Sequence, residues 1–141
     1  MKATTHALVG GLTGAIIGRP AWAAIAGAVS HALLDRLPHR DDERLVPVLV
    51  DGCGALAVLV FAVVAGNIGT VAGIIGSVSP DLENVPTVLF KRKVRKFFPS
   101  HWWEHERAAR GRGVGIETAV FFAAAVGLVV FRRTVVDGVL K

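Results

Sequence analysis

The strongest constraint in this sequence is apolar length nearly free of charge. Residues 45–66, LVPVLVDGCGALAVLVFAVVAG, carry one ionisable acid, Asp51, and residues 115–131, GIETAVFFAAAVGLVVF, carry one, Glu117. Each approaches the roughly 20 apolar residues a helix needs to cross a hydrocarbon core. Residues 7–34 are long enough to do the same, but Arg19-Pro20 interrupts them, and 68–78 is too short for a straight crossing. A half-span or re-entrant helix is tolerated at membrane depth only where protein buries it. The mean hydropathy of +0.54 and the 52% hydrophobic content agree with membrane spans. A soluble bundle of unusually apolar helices is the competing class.

The expectation is therefore an all-α fold, a small multi-span membrane helical bundle with short or re-entrant helices, built as a single domain over 1–141. Its apolar helices fall at about 5–34 with a break at 18–20, at 45–66, at 68–79 and at 115–131, and a basic loop covers 87–113. No cleavable signal peptide is expected, because the first apolar stretch runs on from Lys2 without a small-residue cleavage site. Cys53, the single cysteine, can form no intrachain disulfide and reads as a small apolar filler between Gly52 and Gly54.

The net charge of +5 is unevenly distributed. Lys91, Arg92, Lys93, Arg95 and Lys96 cluster, Arg107, Arg110 and Arg112 follow, and Arg36, Arg40 and Arg44 occupy an earlier loop. Alternating spans bring both loops to one side, which the positive-inside rule makes cytoplasmic. Partners expected there are the lipid bilayer and its anionic headgroups, each cation contributing on the order of 1 kcal/mol of attraction. KRKVRKFF would also suit nucleic acid, but beside a span, membrane anchoring is the better account. Glycines at Gly10, Gly11, Gly14, Gly66, Gly69 and Gly73 suit close helix packing and a homo-oligomer.

Polar residues inside such a chain are costly and mark function. In SHALLDRLPH, His31 and Asp35 are four apart and share a helical face, and His39 follows Pro38, where the helix has ended. Imidazole and carboxylate on one face can hold a divalent metal, while the plain alternative is a His–Asp hydrogen bond at a helix end. IIGSVSPDLENV ends an apolar half-span at Ser79-Pro80 and presents Asp81. PSHWWEHER puts His101 and His105 on one face with Glu104 between them. Its literal match to the inverted zinc-protease pattern is set aside, since only 36 residues remain downstream to supply a further ligand. Asp51 lies about two turns into its span. His6 joins this group only if Gly18-Arg19-Pro20 is a tight turn that returns it to the same face.

At these patches the sequence resembles the bacterial membrane-bound metal-dependent hydrolase family. The matching residues are Thr5-His6 before a glycine-bearing apolar helix, Gly76-Ser77-Val78-Ser79-Pro80-Asp81 closing an apolar run, and His101 with His105 before the last span. Pro80-Asp81-Leu82-Glu83-Asn84 stands where that family shows Pro-Asp-x-Asp-His, and SHWWEHER where it shows His-Arg-Gly and Thr-His-Ser. More distantly, His31-x-x-x-Asp35 followed by Pro38-His39 is similar to a signature of the zinc-dependent phospholipase C and single-strand nuclease superfamily. That similarity implies His31, Asp35 and His39 as zinc ligands for phosphoester cleavage.

Together these readings give an expected zinc-dependent membrane hydrolase facing the cytoplasm of the inner membrane, with a phosphoester substrate. His31, Asp35, Asp81, His101 and His105 are its metal ligands, His6, His39 and Asp51 further candidates, and Glu104 the catalytic base. The rival is a non-catalytic metal-binding or ion-conducting membrane protein that uses the same residues.

Overall fold

The computed structural model describes residues 1–39, 44–91, 95–98 and 110–139, the last segment with side chains over 113–131. All regular structure among them is helical. The order is α1 (Ala3–Ile17), α2 (Pro20–Leu34), α3 (Leu45–Val64), α4 (Ile68–Val78), a 3-10 segment (Ser79–Asn84), α5 (Val85–Phe90) and α6 (Arg110–Val139).

The first apolar stretch is a hairpin. Gly18 takes φ 71°, a left-handed conformation that glycine adopts without strain, and its N–H closes α1 on the Gly14 carbonyl at 2.9 Å. Pro20 then opens α2, where its missing N–H and fixed φ suit the first turn. Gly66 repeats the left-handed turn between α3 and α4. Asn67 starts α4 by accepting the Thr70 N–H at 2.9 Å.

The centre of the molecule is α4 packed against α1 and α2. The seam is made of backbone. A Cβ added at Gly73 would lie 2.1 Å from the Gly10 carbonyl oxygen, and one at Gly14 would lie 2.1 Å from that of Gly69. On the other side of α4, a Cβ at Gly27 would meet the Gly73 oxygen at 2.2 Å, and one at Gly76 would meet the Ala24 oxygen at 2.0 Å. Neighbouring helices come this close only where no side chain intervenes. Of the glycines singled out in sequence, Gly10, Gly14, Gly69 and Gly73 form close contacts between helices of this chain, and Gly66 serves a turn. Ala7, Ala55, Ala62 and Ile74 form the small apolar cluster beside this seam.

Helices α3 and α6 flank α1. Both contain segments long and apolar enough to cross a membrane, Leu45–Val64 and Gly113–Phe131. Only Ala55 and Ala62 are buried in α3, so Leu49, Leu56, Val60 and Phe61 face outward. In α6, Phe122, Val126 and Val129 do the same. The sequence expectation of 115–131 for the last helix is contained within the longer α6.

Gly73→Ala should lower the unfolding temperature in detergent, costing at least the 1–3 kcal/mol typical of an overfilled contact. Gly52→Ala, with nothing within 4 Å of the added carbon, should leave that temperature unchanged or slightly raised. Equal melting of the two variants would show that the seam tolerates a side chain.

Candidate metal centre

Three residues from two helices converge at the end of the bundle opposite the Gly18 turn. His6 lies in the second turn of α1, His31 in the last turn of α2, and Asp35 is the C-cap of α2. His6, His31 and Asp35 are buried, with 0%, 0% and 4% of their surface exposed. His6 Nε2 is 3.2 Å from Asp35 Oδ1, and His31 Nε2 is 2.9 Å from Asp35 Oδ2. The two imidazoles stack with centroids 4.0 Å apart. One ligand atom from each residue falls within 4.8 Å of the others, so this group could hold a metal ion.

The hydrogen-bond partners decide how the nitrogens are used. His31 Nδ1 lies 2.8 Å from the Ser77 carbonyl oxygen. A carbonyl only accepts, so Nδ1 carries the hydrogen and donates it. In a neutral ring Nε2 is then a bare lone pair, and it faces a carboxylate oxygen. Two acceptors at that separation require a cation between or beside them, either a proton on the ring or a metal. An imidazole that donates its far N–H to a backbone carbonyl is also the usual arrangement of a metal-ligating histidine. His6 is held from its backbone instead: the Ser77 hydroxyl donates to the His6 carbonyl at 2.7 Å. Its Nδ1 has no hydrogen-bond partner among the described residues. Burying a polar nitrogen unpaired is costly, and among the described residues none takes up this one.

Electrostatics favours ionised Asp35. Burial alone would raise its carboxyl, but the contacts with His31 and then His6 outweigh that and hold it well below the usual carboxylate range. The Met1 amino nitrogen adds a longer ion pair at 3.7 Å. Asp81, in the 3-10 segment after α4, interacts electrostatically with both imidazoles and with Asp35. Burial pushes its carboxyl up, against the pull of His6 and His31.

The structure thus brings together His6, His31 and Asp35, with Asp81 in their field. His39 is buried, but its Nδ1 bonds the Leu37 carbonyl at 2.7 Å within its own loop. Asp51 does something else. Its carboxylate accepts the N–H of Ala3 at 2.6 Å and of Thr4 at 3.0 Å, and the Thr4 hydroxyl at 2.6 Å. It therefore neutralises the first turn of α1 from a neighbouring helix. Glu117 of α6 accepts the Lys2 N–H at 2.7 Å in the same way. His101, Glu104 and His105 lie outside the described residues.

Two contributors escaped the sequence reading. Ser77 holds both imidazole-bearing helices, and its only sequence signal was its place in the GSVSPD run. Phe98 sets its ring edge-on to His31, with centroids 5.8 Å apart. Comparison with protein-family models, with curated proteins and with solved structures returned no match.

Asp51→Asn should cost about 1 kcal/mol of stability, as loss of a helix cap does, and leave the metal content of the protein as in wild type. Loss of metal with stability intact would place Asp51 among the ligands instead.

Proposed function

We propose that this chain is a membrane-bound metal-dependent hydrolase, with His6, His31 and Asp35 holding a zinc ion at the cytoplasmic end of a multi-pass inner-membrane bundle. The observation that carries the reading is His31 Nε2 directed at Asp35 while Nδ1 is committed to the Ser77 carbonyl, with the second imidazole stacked beside it. The donor set fits zinc. Bonds of about 2.0–2.1 Å in a tetrahedral site separate neighbouring ligand atoms by roughly 3.3 Å, close to the 2.9 and 3.2 Å seen here. Bound there, zinc would supply a Lewis acid and a water acidified to a pKa of about 7.

The remaining roles belong to the chain itself. Ser77 fixes the tautomer and orientation of His31 through its carbonyl and ties α1 to α4 through its hydroxyl. Asp35 balances charge between the imidazoles. Asp81 stands nearby as a second carboxyl.

Membrane placement rests on the outward apolar faces of α3 and α6, too extensive for a monomer in water. Orientation rests on charge. The segments at the site end carry Arg36, Arg44, Lys91, Arg95 and Lys96. The opposite end has Arg19 in the hairpin turn and Arg132 and Arg133 in the distal part of α6. The excess of cations makes the site end cytoplasmic. The same cations favour an anionic substrate, and a phosphoester accords with the family resemblance.

The complete burial of both imidazoles supports a second reading, a closed, non-catalytic metal site. Elemental analysis of detergent-purified protein beside His31→Ala and His6→Ala tests the metal. Near-stoichiometric zinc in the wild type, reduced at least tenfold in affinity in either variant, is expected. Chelator-sensitive cleavage of a nitrophenyl phosphodiester by the wild type then favours the hydrolase, and bound zinc without cleavage the closed site. Absence of metal from all three proteins after zinc is added back overturns both readings.

A further inference from the structure

The chain beyond α4 has an unusual surface. Leu82, Val85, Leu89, Phe90 and Phe97 are exposed over 41–77% of their area. Lys91, which ends α5 at φ 52°, and Arg95 are exposed beside them. A short segment with large apolar side chains pointing outward and cations next to them is not a stable water-facing surface. It has the composition of an element lying in the headgroup region, where apolar groups enter the acyl boundary and cations meet phosphates.

Its position is fixed by hydrogen bonds to the 3-10 segment. The Glu83 carboxylate accepts the N–H groups of Phe97 and Phe98 at 2.8 and 3.2 Å, and Lys96 donates to the Asn84 side-chain oxygen. Phe98 rests against His31. Glu83 and Asn84 of the 3-10 segment thus hold residues 95–98, and Leu82 between Asp81 and Glu83 is left outward. The membrane-length segments of α3 and α6 begin at the same end of the bundle as His6, where Asp51 and Glu117 meet the start of α1.

We infer that the edge formed by Leu82, Val85, Leu89, Phe90 and Phe97 with Lys91 and Arg95 is a docking surface for anionic phospholipid, placed next to the His6–His31–Asp35 site. The occupant follows from charge complementarity: the apolar side chains alone would suit any lipid, and the cations select a negatively charged headgroup. The inference rests on the membrane reading above but not on the presence of metal. It gives the site a source of phosphate-bearing molecules at its own depth.

The test uses the full-length protein with Cys53→Ser in lipid nanodiscs, carrying a single cysteine labelled with an environment-sensitive fluorophore. Phe97→Cys and Leu89→Cys report on the edge, and Leu56→Cys reports on the outward face of α3. Brominated phosphatidylglycerol and brominated phosphatidylcholine serve as quenchers. The expected result is quenching at both edge positions, stronger with phosphatidylglycerol. The preference should fall about fivefold for each cation removed in Lys91→Gln and Arg95→Gln. Quenching at Leu56 with water-like, unquenched probes at 89 and 97 overturns this inference and leaves the membrane span standing. Equal quenching by the two lipids overturns the anionic selectivity. Unquenched probes at all three positions overturn the membrane reading and this inference together.

Discussion

The structure depends on the contact of bare backbone along α4. Gly73 touches α1 on one side and α2 on the other, so the three helices sit closer than any side chain would allow. Because α1 and α2 are joined by a two-residue turn, this contact sets how their free ends meet. His6 and His31 stack at 4.0 Å as a consequence. A wider seam would separate the imidazoles and remove Ser77 from reach of both, and the site would cease to be a cluster.

A second constraint comes from the flanking helices. Asp51 and Glu117 are the single acids in the two longest apolar stretches, where an unpaired carboxylate is expensive. Each ends on a backbone N–H at the start of α1. Those N–H groups lack intrahelical partners and carry the positive end of the helix dipole. Two unfavourable features therefore cancel, and α1 is registered against α3 and α6 at the level of its first turn. Gly54 completes the fit, since a Cβ there would lie 2.4 Å from the Thr4 hydroxyl oxygen. His6 follows two residues later, so its position is inherited from this capping.

Much of the helical layout was legible because it rests on local chemistry. Apolar length marked α3 and α6, and Gly18-Arg19-Pro20 marked a break that the structure uses as a turn. The His31–Asp35 pair was readable from its spacing alone, since four residues on a helix is a contact. His6 was readable only conditionally, because its place depends on whether the break reverses the chain. The role of Asp51 was hidden for a different reason. A carboxylate in a long apolar helix looks the same in sequence whether it meets a metal, a cation or a helix N-terminus, and a partner 48 positions away in the chain decides which. Ser77 carries no titratable group at all, and half of its contribution is made by its carbonyl.

The chemistry of the cluster narrows to one question about charge. With Nδ1–H of His31 committed to Ser77, its other nitrogen has a lone pair in the neutral ring, and Asp35 offers only lone pairs when ionised. A single proton shared between them would satisfy that pair but would leave His6 stacked alongside with Nδ1 unused, its Nε2 also directed at Asp35. A divalent cation would take up the Nε2 lone pairs and the carboxylate at once, and it would leave His6 Nδ1 without a partner among the described residues just as the proton does. Two protonated rings stacked this closely would repel, so the proton arrangement charges one ring and leaves the other neutral with its Nε2–H on Asp35. Three side chains held this way could take a metal ion or share protons at the helix end, and the metal content of the protein decides between the two.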